Sequence, residues 1–596
     1  MRQLTLTLDR DRFVTTPPTE LHYLPQTLGW SRVPNTRSLR ADAEFGVLLS
    51  LSRQAKADGV QITYEGDGTL EKVDELRKTY MNYIDAHKWK VMPEDELDDH
   101  FYESGIPGLM PTVESFRPYQ RRCLLWLIQV RRGAALLEMG LGKTLLAIAY
   151  IKKLIDLNEA KKVLLVAPIA LLSETAWFGE LQRHTDFRVV DLRKKNKYDP
   201  DPGAQHIHVV NPELISARCF TRTKKSERSY IPDNFIASER FDTIVFDESS
   251  LLGNPGSLLT TAMLRIMRPT PNVLWLSGAQ SPNRIFQLWP MARAFGAMLY
   301  PSNTAFLQKY GYPKMFGPAK VYYPRPFANE EIRRIVDPIT FYVEREGNVD
   351  LPPRTCIDVH VEMTPDQRAL YDRLENDYIA TINGLDPQGN PIESTVAIKQ
   401  EFVLRMKLLQ LTSGFVLHKN SYDETKLIEL PYNPKLEKLM ELLALDHDEG
   451  VNAIIWCYFR KEVETIHKAI AGKWGHESVA YYYGSMSDKD REEQLHKWKN
   501  TDACRFICAN PKAARFGHNW TRATKTYYFS TSSDFADYTQ SRDRCYRIGQ
   551  TKPVYEIKLK VKDSVDSIAW EALSQRTKLD KFLKTYFLGQ KPNFLC

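Results

Sequence analysis

From Phe116 onward the chain alternates short, continuously apolar runs with longer stretches whose apolar residues recur at helical spacing. Val163 to Ala167, Ile207 to Val210, Thr243 to Phe246 and Val273 to Ser277 have the length and continuity of buried strands, while Ala170 to Leu181 reads as helical. Buried strands alternating with helices predict a parallel sheet covered on both faces. A second series follows in Ala453 to Cys457, Val479 to Tyr483, Phe506 to Cys508 and Thr526 to Phe529. Between the two, Pro365 to Phe415 reads as helical, broken by the polar stretch Asn383 to Pro391, and Pro352-Pro353 marks a hinge. Val565 to Leu583 closes the chain as an amphipathic helix. The two halves look like two copies of one α/β fold type.

Ahead of them, the alternating stretches Leu4 to Leu8 and Gly59 to Tyr64 flank a helical pattern over Ala43 to Ala57, which predicts a small α+β module. The expected boundaries are an accessory module over 1–104, a first lobe over 105–345, a hinge over 346–356, and a second lobe over 357–596. That second lobe is expected to carry a helical insertion over 357–430 and the closing helix.

Composition narrows the class only a little. A chain of 596 residues exceeds one hydrophobic core, and 43% hydrophobic with 26% charged residues is ordinary globular usage. A net charge of +7 permits a polyanionic partner without requiring one. The eight cysteines contain no CxxC pair, and Cys504 and Cys508 read as one face of an apolar strand. A zinc site or disulfide framework is therefore not expected, and a reducing compartment fits. Asp9, Arg10, Asp11 and Arg12 stand where a signal peptide needs an apolar block, and the longest apolar run, Val163 to Leu172, is too short to span a bilayer. The expectation is a soluble protein with no membrane partner, cytoplasmic (at the nucleoid in a bacterium, in the host cytoplasm for a virus) or nuclear in a eukaryote.

Chemistry enters at three places. In Glu138-Met139-Gly140-Leu141-Gly142-Lys143-Thr144, the glycines let backbone approach a phosphate closely, at the start of a helix. Lys143 is suited to neutralise β- and γ-phosphates, and the Thr144 hydroxyl to ligate magnesium. Leu137 stands where the full GxxxxGK[ST] pattern has its first glycine. About 100 residues later, Asp247-Glu248-Ser249-Ser250 ends an apolar strand. Asp247 there suits a second magnesium contact, and Glu248 the orientation or deprotonation of an attacking water. Near the C-terminus, Arg544 and Arg547 are spaced i, i+3 as on one helix face, where guanidinium groups can stabilise transition-state charge.

Gln540 to Val554, QSRDRCYRIGQTKPV, resembles the last helicase motif of Swi/Snf-type ATPases, the translocase branch of helicase superfamily 2. Other blocks match in order. Phe116 to Gln120 looks like the adenine-recognition segment, with Gln120 as base reader. Val163 to Pro168 resembles motif Ia, Val209 to Glu213 motif Ib, Leu276 to Asn283 motif III, Ile454 to Arg460 motif IV and Lys512 to Trp520 motif V. The resemblance covers roughly residues 112 to 585. It implies two RecA-like lobes with parallel sheets and helical protrusions, ATP and Mg2+ as cofactors, Gly517 in the nucleotide site, and Asn211, Lys512 and Asn519 against nucleic acid.

Three positions depart from the family pattern. Motif III has Ala279-Gln280 for Thr-Pro, motif II ends in Ser250 rather than His, and motif V has Arg515-Phe516 for two glycines. A compensating hydrogen bond between Gln280 and Ser250 is the expected repair of the coupling between nucleotide state and nucleic-acid grip. The basic stretches Arg193 to Lys197 and Arg222 to Lys225 are read either as added grip or as solvated surface.

The resemblance implies a DNA-stimulated ATP hydrolase that moves on double-stranded DNA without separating strands, in repair, recombination or fork remodelling. A monomer is expected, with replication, repair or transcription proteins as further partners. A strand-separating or RNA-directed helicase is one alternative; a nucleotide-gated clamp on nucleic acid or RNA polymerase with slow hydrolysis is another. Leu28-Gly29-Trp30, Arg40, Ala41 and the helix after them look faintly similar to the substrate-recognition domain of annealing helicases, beside the plainer reading of an unrelated capping domain.

Overall fold

In a computed structural model the chain divides into two compact units, Met1–Asn348 and Val349–Cys596. The structure describes residues 2–110, 116–174, 176–194, 206–224, 227–230, 240–278, 285–300, 302–316, 319–382, 394–419, 425–515, 520–531 and 534–574.

The first unit is built on a seven-stranded, all-parallel sheet. Its spatial order is Thr340–Val343, Arg132–Leu137, Asn272–Ser277, Thr243–Phe246, Lys162–Val166, His206–Val210 and Arg188–Asp191. Thr243–Phe246 and Asn272–Ser277 are buried at every position, as strands covered by helices on both faces must be. The expected helix over Ala170 to Leu181 starts only at Trp177 and runs to His184. A turn intervenes, in which the Ser173 carbonyl accepts from Ala176 N (3.0 Å) and Phe178 N (3.1 Å).

The N-terminal module is α+β, with a five-stranded sheet ordered Ser31–Arg32, Leu39–Asp42, Arg12–Thr15, Arg2–Asp9 and Val60–Glu65. It is packed into the first unit rather than tethered to it. Gly46 donates to the Gly296 carbonyl at 2.8 Å, and a Cβ there would lie 2.4 Å from the Ala297 backbone, so only glycine permits this approach. Arg293 pairs with Asp42 and Glu44. Arg268 pairs with Asp11 (2.9 Å) and Asp42 (2.8 Å). The Tyr83 hydroxyl donates to the carbonyl of Arg132, the first residue of the strand Arg132–Leu137.

The second unit carries a six-stranded parallel sheet ordered Arg354–Val361, Val554–Val561, Lys525–Tyr528, Ala453–Trp456, Phe506–Ala509 and Val479–Tyr482. One apolar cluster centres on Trp456, Trp498 and Trp520 and another on Leu439, Val463 and Ile466, one to each face. Residues 354–356, expected in the hinge, and 357–361, expected in the helical insertion, together form the edge strand; the helices are Pro365–Ile382 and Ser394–Thr412. Cys504 precedes the strand Phe506–Ala509, so only Cys508 lies on it. Both thiols are buried, and burial pushes Cys504 up to about 11. The closing helix is Val565–Ser574, and the rest of its expected span lies outside the described residues. No helix among the described residues is long and apolar enough to cross a membrane.

Candidate active site

The chemistry of the first unit gathers at one end of three adjacent strands. Arg132–Leu137 leads into the glycine loop, Thr243–Phe246 into Asp247, and Asn272–Ser277, lying between them, into Gly278. Parallel strands bring these segments together at their C-terminal ends although more than 100 positions separate the glycine loop from the other two.

Leu137 is still strand, in register with Val343, so the residue at that position needs no glycine-specific backbone. The loop turns at Gly140 (φ +85°) and Gly142 (φ +77°). A Cβ on Gly142 would stand 2.5 Å from Gln120 Nε2. Helix Lys143–Asp156 begins there without a side-chain cap, leaving the dipole and first-turn N–H groups to an anion. Lys143 folds back on the loop, its Nζ donating to the carbonyls of Leu137 (3.0 Å) and Glu138 (3.3 Å). A Cβ on Gly278 would come within 3.1 Å of that nitrogen, so the motif III glycine makes room for the lysine.

Asp247 and Glu248 are almost wholly buried. Burial holds the Asp247 carboxyl above the usual carboxylate range, opposed by the Trp177 indole and the Lys143 charge. Trp177 Nε1 donates to Asp247 Oδ2 at 2.9 Å, and Glu248 N donates to Oδ1 at 2.9 Å. Glu248 itself sits in the left-handed region (φ +54°, ψ +50°), an arrangement that costs a non-glycine residue about 1 kcal/mol or more. Among the described residues no three His, Cys, Asp or Glu side chains form a metal cluster. One buried carboxylate and the Thr144 hydroxyl fit magnesium, which takes few protein oxygens and completes its shell with phosphates and water.

Gln120 lies in the first turn of helix Pro118–Val130. Its Oε1 accepts from Arg117 N (2.9 Å) and its Nε2 donates to the Leu141 carbonyl (3.3 Å), so the expected base reader also ties its helix to the glycine loop. Asn211 caps helix Pro212–Arg218, and its Nδ2 donates to Glu213 Oε2 at 2.6 Å. Ser250 is exposed in the short turn Ser249–Leu252, while Gln280 lies outside the described residues, as do Gly517 and Asn519. Of the two basic stretches, 195–197 and 225 lie outside them too.

In the second unit, helix Phe535–Arg542 stops before the arginines. Arg544 and Arg547 therefore do not share a helix face; they stand on the turns that follow. Gln550 fixes those turns: Nε2 donates to the carbonyls of Thr521 (3.0 Å), Ala523 (3.0 Å) and Cys545 (3.2 Å), and Oε1 accepts from Thr551 N and Lys552 N (both 3.1 Å). Arg544 is buried and its carbonyl accepts from Trp520 N at 3.0 Å. Lys512 is exposed, its ammonium 5.8 Å from the Tyr458 ring centre. The role of Trp177 had no motif signal, since it acts through a hydrogen bond to a distant segment, whereas Gln550 lies within the motif at 540–554 but its bonds to Thr521 and Ala523 are not legible there.

Residues 119–412 match the SNF2-related domain, and residues 434–549 match the helicase conserved C-terminal domain. The Bacillus subtilis protein YwqA is 23% identical over 491 residues, covering 79% of this chain and 48% of that protein. The DNA repair and recombination protein RAD26 of Saccharomyces cerevisiae is 22% identical over 572 residues, covering 86% of this chain and 51% of that one. The chain thus spans about half the length of each. A solved structure described as the Sulfolobus solfataricus SWI2/SNF2 ATPase core in complex with dsDNA aligns at 22% identity and a TM-score of 0.35, covering 80% of this chain and 93% of that one. With the two matched domains in order and the glycine loop and acidic pair at the ends of the two strands that flank Asn272–Ser277 in the first, the chain belongs to the Swi/Snf-type ATPases of helicase superfamily 2.

Proposed function

We propose that the chain hydrolyses Mg-ATP and couples it to movement along double-stranded DNA without separating the strands, in repair, recombination or fork remodelling. The observation that carries the hydrolytic part is the convergence of Lys143 with Asp247 and Glu248 at the C-terminal ends of the two strands that flank Asn272–Ser277. Lys143, now on two loop carbonyls, exchanges these neutral acceptors for charged phosphate oxygens, which make stronger hydrogen bonds. Thr144 and Asp247 would hold magnesium, which supplies charge neutralisation at the phosphates. Glu248 takes the water's proton or orients the water. Arg544 and Arg547 are assigned to stabilising transition-state charge, and Asn211, Lys512 and Asn519 to the nucleic-acid backbone. The duplex preference is supported by the QSRDRCYRIGQTKPV match, and the repair setting by the likeness to RAD26.

The test is the ATP turnover rate without nucleic acid and with single strand, duplex, fork and duplex RNA, beside triplex displacement and strand separation. Duplex DNA should stimulate most, with triplex displaced and flush duplexes left paired. Unwinding of long flush duplexes with no triplex displacement would overturn the translocase reading in favour of a conventional helicase.

Trp177 offers a finer check on the metal-holding role. Trp177→Phe keeps a ring in place and removes the donor to Asp247. A hydrogen bond to a charged group contributes about 1.5–3 kcal/mol, so the Mg2+ concentration giving half-maximal turnover should shift by about tenfold or more. An unchanged Mg2+ titration would show that Asp247 is positioned without the indole.

A further inference from the structure

The first unit carries a feature that the nucleotide site does not use. Gly311–Phe316 and Ala319–Pro324 form an antiparallel hairpin that, among the described residues, pairs with no other strand. Its outward side chains are unusually large for surface positions: Met315 is 65% exposed, Val321 42%, Tyr312 40% and Tyr323 37%. From Asn303 to Asn329 the chain holds Lys309, Lys314, Lys320 and Arg325 and no carboxylate. An exposed apolar and aromatic surface rimmed by charge of one sign marks an interaction site, and its partner must be anionic.

The hairpin is held as a rigid projection. Tyr310, at its root, is buried against Phe306 (ring centres 5.1 Å apart) and Tyr300 (5.7 Å). Arg325 N donates to the Tyr310 carbonyl at 2.8 Å and Arg325 Nε to the Gly311 carbonyl at 3.2 Å. Tyr312 and Tyr323 face each other across the two strands and stack, with centres 5.9 Å apart and planes 25° apart. The Lys314 ammonium lies 5.3 Å from the Tyr323 ring centre and 6.0 Å from that of Tyr312. Aromatic faces beside mobile ammonium groups match the two chemistries of a nucleic-acid strand, bases with free π-faces and phosphates. Inside a duplex those π-faces are covered by neighbouring pairs, so the ring pair fits an unpaired base.

We propose that this hairpin is a nucleic-acid contact that stacks an unpaired base on the Tyr312–Tyr323 pair and holds phosphate through Lys314 on that face and through Lys320, beside Tyr322, on the other. The inference rests on the reading of the chain as a nucleic-acid motor. It assigns to the first unit a grip on strand ends, gaps or forks that is separate from the motif residues.

The test is fluorescence anisotropy on the full chain with two labelled probes, a single strand of about 20 nucleotides and a closed dumbbell duplex without ends, across a salt series. Lys314→Ala/Lys320→Ala should weaken both and lower the slope of log K against log salt by about 1 to 2, at roughly 0.9 per phosphate contact on duplex. Tyr312→Ala/Tyr323→Ala should weaken the single strand by about tenfold or more and leave the dumbbell unchanged, since base–aromatic stacking carries roughly 1–3 kcal/mol per base. Tyr312→Phe/Tyr323→Phe, which keeps both rings, should bind like wild type, and DNA-free ATP turnover should be unchanged throughout. Wild-type protein that binds neither probe would overturn the motor reading itself. Wild-type binding with an unaltered salt slope in the lysine variant, or with equal losses on both probes in the tyrosine variant, would overturn the hairpin proposal alone.

Discussion

Purified Glu248→Gln protein is expected to bind ATP about as well as wild type and to hydrolyse it roughly a hundredfold or more slowly. The amide has the carboxylate's shape, so packing around this nearly buried side chain survives. What is lost is the capacity to accept a proton or to hold the water's hydrogens in line. The backbone supports this reading. Glu248 is held at φ +54° although it is not glycine, and its N–H is fixed by Asp247 Oδ1 at 2.9 Å. A strained residue whose neighbour pins it keeps its side chain in one direction, as a general base requires. Lys143→Ala is the contrasting control: it removes the cation from the loop, so ATP affinity should fall along with turnover. Measuring nucleotide affinity by displacement of a fluorescent analogue, and hydrolysis under single-turnover conditions, separates the two effects. Near-normal hydrolysis by Glu248→Gln would remove this site assignment, whatever the lysine variant does.

The parts of this site that were legible in the sequence are those with a local physical signature. Gly140 and Gly142 announce positive φ, and Asp247 follows the apolar run Ile244 to Phe246, so both could be placed at strand ends without a structure. Interactions between distant segments leave no such mark. Nothing near Trp177 signals that its indole reaches Asp247, 70 positions away. The edge strand Arg354–Val361 was missed for a different reason. Its apolar residues alternate with Arg354, Cys356, Asp358 and His360, and most of it is exposed, so it lacks the continuous apolar run that marks a central strand. Arg544 and Arg547 show the limit of spacing arguments. Their i, i+3 separation is compatible with a helix, but Gln550, bonding three carbonyls, fixes turns there instead. The hairpin at 311–324 was legible only as a basic, aromatic stretch; that it stands apart from the larger sheets is a fact of topology.

Either Lys435→Ala or Asp566→Ala should destabilise the second unit by about 3–5 kcal/mol, the largest stability effect expected of a single polar substitution here. The two residues open helices 131 positions apart, Pro434–Asp448 and Val565–Ser574, and each is only 1% exposed. Their Nζ–Oδ2 distance is 2.6 Å, and Asp566 Oδ2 also accepts from Val561 N at 3.1 Å, at the end of the strand Val554–Val561. The pair thus fastens the helix Pro434–Asp448 to the strand Val554–Val561 and the helix Val565–Ser574 of the second unit. Asp566 sits well at a helix N-terminus, where the dipole favours an anion, but Lys435 in the same position of its own helix does not. The lysine therefore depends on its partner, and on the Phe529 ring centre 5.1 Å away, for compensation. Taking either charge alone leaves the other buried with its desolvation cost unmatched. Replacing both, as Lys435→Met/Asp566→Leu, removes the cost together with the attraction and should be far milder than the sum of the single changes. Urea unfolding of the full chain, followed by fluorescence of the second unit's tryptophans among others, reads the midpoints. Single variants within about 0.5 kcal/mol of wild type, or a double variant equal to the sum of the two, would show that the pair is solvated in solution and does not fasten the lobe.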